Sequence, residues 1–183
     1  MSNNRGFKKS CQVCESCEEC KSLSRFSVSS CPLRPVPQAG PEPLPGITPV
    51  YGSLYTSGGV PAVSGTNVDF DTVGPSSGVT LDIINNSITV NSSGVYTITF
   101  SSPVNVNGEG SLGITFHLSI NGIPDPTKRT VYQIAGTPGF TEISTVSRTD
   151  QIMLNQGDFI QIFIVSAASA GYDSSSLVVT KVA

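Results

Sequence analysis

The strongest constraint on this chain is a rhythm. From Pro49 onward, short runs of alternating apolar and polar residues are broken by turn formers roughly every ten positions. In Val95–Phe100, Val95, Thr97 and Thr99 take one side, and Tyr96, Ile98 and Phe100 take the other. Ile114, Phe116, Leu118 and Ile120 likewise share a side against Thr115, His117 and Ser119. A period of two is that of a pleated strand with one face buried, and no segment here sustains the helical period. Asn85-Asn86, Ser93-Gly94, Asn107-Gly108, Asn121-Gly122 and Gln156-Gly157 lie between the runs. These pairs tolerate the positive φ that tight hairpins demand. The pattern predicts strands over Val50–Tyr55, Asn67–Phe70, Val79–Ile83, Ser87–Val90, Val95–Ser101 and Gly113–Asn121. It predicts further strands over Thr130–Ile134, Thr141–Ser147, Gln151–Leu154, Phe159–Ser166 and Ser175–Val182. Many short antiparallel strands at this spacing imply an all-β sandwich, with a jelly roll as the best match.

The chain divides before that rhythm begins. All five cysteines lie in residues 1–31, and residues 32–49 hold seven prolines. Proline fixes φ and lacks a donor, so this second stretch is expected to be an extended, semi-rigid spacer. The expected organisation is a Cys-rich arm over 1–31, a Pro-rich spacer over 32–49 and a head over 50–183. Charge follows the same division. Residues 1–46 carry six bases against four acids, whereas the remainder carries four bases against nine acids. Charged residues make up only 13% of the chain, against about 25% in ordinary soluble proteins. With a net charge of −3, the chain offers no field for nucleic acid or an anionic membrane. Met1–Ser10 has basic residues but no apolar core behind them, so it does not read as a secretory signal. No run approaches the roughly 20 apolar residues of a membrane helix. Synthesis and retention in a cytoplasm are therefore expected.

Cys11, Cys14, Cys17 and Cys20 recur every third residue, and Cys31 follows. One reading is covalent cross-linking between neighbouring arms, since an odd total leaves a cysteine without an internal partner. A second is metal: Cys11, Cys14 and Cys17 match the opening of a ferredoxin-type site, with Cys31 before Pro32 as a fourth ligand. Cys20 breaks that pattern and no His lies in the arm, so no cofactor is expected. A third is a tail of free thiols. Catalysis finds little support. His117 is the only histidine and falls on the polar side of its strand, and no metalloprotease or phosphate-loop motif occurs. Asp69 and Asp71 flank Phe70 in a weak calcium-like pattern, better read as a turn-lining pair.

A resemblance emerges from Asn67 onward, in NVDFDTVGPSSGVTLD, SITVNSSGVYTITFS, FHLSINGIPD, ISTVSRTDQIMLNQGDFIQIFIVSAAS and LVVTKVA. These segments resemble the C-terminal domain of the collagen-like glycoproteins of bacillus spore surfaces (BclA-like), within the complement/TNF-like jelly rolls. The resemblance implies a homotrimer, an exosporium or spore-coat location, and an architectural or adhesive role. No Gly-X-Y repeat is present, which excludes the collagen stalk. A head on a short arm instead suggests a subunit or anchor of a thin endospore appendage, made in the mother cell. Its arm would join further copies head to tail, or other exosporium proteins, in an open series that propagates as a fibre. Cysteine oxidation on mother-cell lysis would then harden the result. Phe159–Ser166 is apolar on both sides, as in a strand buried twice over. Ile160, Ile162, Phe163 and Ile164 are thus expected at the threefold interface, with packing inside one chain as the alternative.

Overall fold

The computed structural model describes residues 48–183, which form two antiparallel sheets packed face to face. The first sheet runs β2 (Val60–Pro61), β12 (Ala170–Tyr172), β7 (Gly94–Asn107), β13 (Ser176–Lys181), β1 (Tyr51–Tyr55) and β4 (Thr72–Val73), with β10 (Thr141–Leu154) also paired to β7. The second runs β5 (Val79–Asp82), β6 (Ser87–Val90), β11 (Phe159–Ala168), β8 (Gly110–Ile120) and β9 (Ile123–Gly136), with β3 (Thr66–Asn67) beside β11. β13, late in the sequence, fills the gap between β1 and β7. This is a jelly roll, as the alternation predicts.

The alternating residues form the core. Tyr96, Ile98, Phe100, Val104 and Val106 of β7 are buried, facing Leu112, Ile114, Phe116 and Leu118 of β8. Phe116 makes edge-to-face contacts with Phe100, at a centroid distance of 5.0 Å, and with Tyr172, at 6.4 Å. Such pairs add specific attraction to a large burial of apolar area.

Several strands exceed their predicted limits, each for a local reason. β7 continues through Pro103 to Asn107. On the side of β7 facing β12 and β13, Pro103 lies where one partner gives way to the other, and Asp173 N donates to Pro103 O at 3.0 Å. The donor that proline lacks would have pointed into this junction, so no ladder bond is lost. β9 extends back through Pro126 and Pro124 because it is an edge strand, where proline is tolerated. The two strands predicted at 141–147 and 151–154 are one, β10. Of the predicted strand Asn67–Phe70, only Asn67 belongs to a strand. Val68 and Phe70 are buried, but Val68 N donates to Ile162 O and Phe70 N to Asn86 Oδ1, outside any regular ladder.

Candidate assembly interface

Four neighbouring strands of the first sheet, β10, β7, β13 and β1, present one side to the core and the other outward. The outward side of β10 carries Thr141, Ile143, Thr145, Ser147, Thr149, Gln151 and Met153. That of β7 carries Val95, Thr97, Thr99, Ser101, Pro103 and Asn105. β13 adds Ser176, Val178 and Thr180, and β1 adds Tyr51 and Tyr55, with Ser53 between them already buried within the chain. Register aligns these residues in rows: Thr149 pairs with Thr99, and Thr99 with Val178. The Thr99 and Thr149 hydroxyls lie 3.0 Å apart. Ile143 and Met153, near the two ends of β10, are 73% and 68% exposed. None of these side chains is charged, although residues from Thr48 onward include four bases and nine acids.

Those charges are placed elsewhere. Many gather where β9 and β10 form neighbouring margins of the sandwich. Arg148 donates from Nε and Nη2 to the Asp150 carboxylate at 2.6 and 2.7 Å, and from Nη1 to Arg129 O at 3.1 Å. Both side chains lie on the inward side of β10, and Asp150 raises the Arg148 pKa further. On β9, Lys128 pairs with Asp125, and the Lys128 and Thr127 donors hold that carboxyl far below its ordinary value. Burial, then the facing Glu142 carboxylate, pushes the Tyr132 phenol upward. Loops take other charges: Asp71 accepts from Ser57 N, Ser57 Oγ and Thr72 Oγ1, which lowers its pKa.

The residues expected at the threefold interface divide between two sides of β11. Ile160, Ile162 and Ile164 are 0%, 2% and 0% exposed within the single chain, opposite Ile120, Leu118 and Phe116. They pack in the protomer's own core, the alternative given for them from the sequence. Phe163 lies on the other side of β11, half-buried, paired with His117 and Asn67. The apolar stripe therefore reports burial inside one chain at three of its four positions. Cys11, Cys14, Cys17, Cys20 and Cys31 lie outside the described residues. Among the described residues, no three His, Cys, Asp or Glu side chains gather closely enough to hold a metal ion. The carboxylate of Asp71 is committed to Ser57 and Thr72, whereas that of Asp69 accepts no hydrogen bond within the described residues. The uncharged sheet side was not singled out from sequence. Its signal was present as the absence of charge at every second residue from Thr141 to Met153.

No family model matches the chain, and no curated protein matches its sequence. In structure it is similar to the TNF protein Eiger from S. frugiperda, with a TM-score of 0.60 and 13% identity over 74% of this chain and 93% of that one. It is also similar to the globular domain of zebrafish complement 1qA, with a TM-score of 0.53 and 14% identity over 73% of this chain and 98% of that one. The shared feature is the fold, a jelly roll of the complement/TNF type.

Proposed function

We propose that this chain is a non-enzymatic structural subunit whose head trimerises through the uncharged side of β10, β7, β13 and β1. The observation that carries the reading is the exclusion of every charged side chain from that side. A sheet facing only water gains solubility from interspersed Lys and Glu, and gains nothing from their absence. A buried contact between copies, by contrast, is depleted of charge. Close to a threefold axis each residue also meets its own symmetry mates, so any charge there would face like charges. The likeness to the complement/TNF-type fold is compatible with this arrangement.

Light scattering on the purified chain tests it. The expected mass is that of a trimer of a 19.1 kDa chain. Thr99→Glu combined with Ser147→Glu is expected to give folded monomers, with the β-sheet circular dichroism retained. A monomeric parent chain, or a double variant that stays trimeric, would overturn the reading.

The finer role proposed is a subunit or anchor of a spore-surface appendage, joined to further copies through the arm at 1–31 and the spacer at 32–49. Its support is the resemblance of the segments quoted above and the confinement of all five cysteines to the first 31 residues. Cross-linking by Cys11, Cys14, Cys17, Cys20 and Cys31 would harden such a series. A metal-bearing arm would instead show visible or charge-transfer absorbance in the purified protein.

A further inference from the structure

Away from the uncharged side, the segment from Val63 to Asp69 and the turn Ile84–Asn86 border an open groove of about 490 Å³. Its shape is fixed from both banks. Val68 N donates to Ile162 O at 2.8 Å, Asp69 N to Tyr172 Oη at 2.9 Å, and Phe70 N to Asn86 Oδ1 at 2.7 Å. On the opposite bank, Ile84 N, Asn85 N and Asn85 Nδ2 all donate to the Asp82 carboxylate, at 2.9, 3.0 and 2.7 Å. Gln161 Nε2 donates to Asn85 O at 2.7 Å and ties that turn to β11.

Within the described residues, these bonds leave a second set of polar atoms free for a ligand. Asn86 spends Oδ1 and keeps Nδ2 as a donor, whereas Gln161 spends an Nε2 hydrogen and keeps Oε1 as an acceptor. The Asn67 amide and the Asp69 carboxylate make no hydrogen bond within the described residues, and both line the groove. Among the described residues no Lys or Arg lines it, so they give it no strong means of holding phosphate, sulfate or a carboxylate. Its walls are aliphatic: Val63 and Ile84 are 57% and 89% exposed. The one aromatic ring in the lining among the described residues, Tyr172, is 2% exposed and offers no platform on which to stack a sugar face.

We propose that this groove binds a neutral saccharide bearing an acetamido group. Fixed donors and acceptors of both kinds suit hydroxyls, and a lone carboxylate can accept two of them. An acetamido group brings a methyl for Val63 and Ile84, together with an N–H and a C=O for Gln161 and Asn86. The inference does not rest on trimer formation.

The test is a titration of the full chain with N-acetylglucosamine, and separately with glucose, followed by the methyl resonances of Ile84, Val63 and Val60. Saturable shifts confined to these methyls are expected with N-acetylglucosamine, with glucose at least about tenfold weaker for want of the acetamido contacts. Asp69→Ala and Asn67→Ala, which remove side chains outside the core, should each abolish saturation with the melting temperature unchanged. Absence of shifts, shifts spread beyond the groove, an equal response to glucose, or undiminished binding by both variants would overturn the proposal.

Discussion

Ser102 and Ser175 are both completely buried, and their hydroxyls lie 2.7 Å apart. Ser102 Oγ also donates to Pro103 O at 3.2 Å. Ser102→Ala therefore strands the Ser175 hydroxyl and is expected to cost about 1–3 kcal/mol, with Ser175→Ala costing less. The double variant should cost less than the sum, because an apolar pair leaves nothing unsatisfied. Urea unfolding of the four proteins of this cycle decides it, and strict additivity would argue against coupling. Acid sensitivity also belongs to single residues. Asp158 accepts from Asn121 Nδ2 and Asn155 N, both at 2.8 Å, and these donors, Asn121 first, lower its pKa from the ordinary 3.8. Asp71 and Asp82 are lowered in the same sense by Ser57 and Asn85 respectively. A folded-state pKa below the unfolded one means that the unfolded chain binds protons first. The resulting stabilisation is complete above the ordinary carboxylate range and is lost as pH falls through the lowered values. Melting temperature should therefore drop on acidification below pH 3.8, and Asp158→Asn should drop less. An equal drop in both proteins would remove Asp158 from the explanation. None of this was legible in the sequence, where a serine or an aspartate reads as a wet residue whatever its surroundings.

At the scale of elements, legibility tracked periodicity. β7 alternates strictly from Tyr96 onward and β8 from Ile114 to Leu118, with buried sides as the pattern indicated. At the end of β8 the order gives way, Ser119 being buried and Ile120 half-buried. β2, β4 and β12 span only two or three residues, too few for any period to register. β10 was expected as two strands, and the gap between them holds Arg148 and Asp150, polar residues at inward positions that interrupt the apolar period. They sit at an open margin, where a two-pronged ion pair substitutes for packing. The expected strands stop short of Pro103, Pro124 and Pro126; Pro103 falls where no ladder donor is required, and the other two lie on an edge strand. Pro103→Val should accordingly leave the thermal melt nearly unchanged. Ile98→Pro should cost about 3 kcal/mol or more, since Ile98 is paired on both sides, with Asp150 and Val179. Comparable melts for the two variants would refute this account of Pro103. The apolar stripe on β11 was ambiguous for a related reason. Periodicity marks burial but not whose core does the burying, and the outer side of β11 is roofed where Gln161 meets Asn85.

At the scale of the whole molecule, fold class could be read from strand rhythm, but strand order could not. Partners such as β1 and β13 lie far apart in sequence and carry no local mark of each other. Light scattering before and after thiol reduction separates the architectural possibilities. Large particles that fall to trimers on reduction are expected for an appendage subunit hardened through its arm, and removal of residues 1–45 should leave trimers alone. Trimers indifferent to reductant would confine the arm to tethering. The central position of β13 also bears on when the head can form during synthesis. As the chain leaves the ribosome, β1 and β7 emerge early, but the slot between them stays empty until Lys181 is clear. Until then the uncharged side is cut in two, and unfinished chains lack the surface by which finished ones would recognise one another. Folding would thereby precede assembly in time, and a truncated product would lack the strand on which the proposed contact between copies depends.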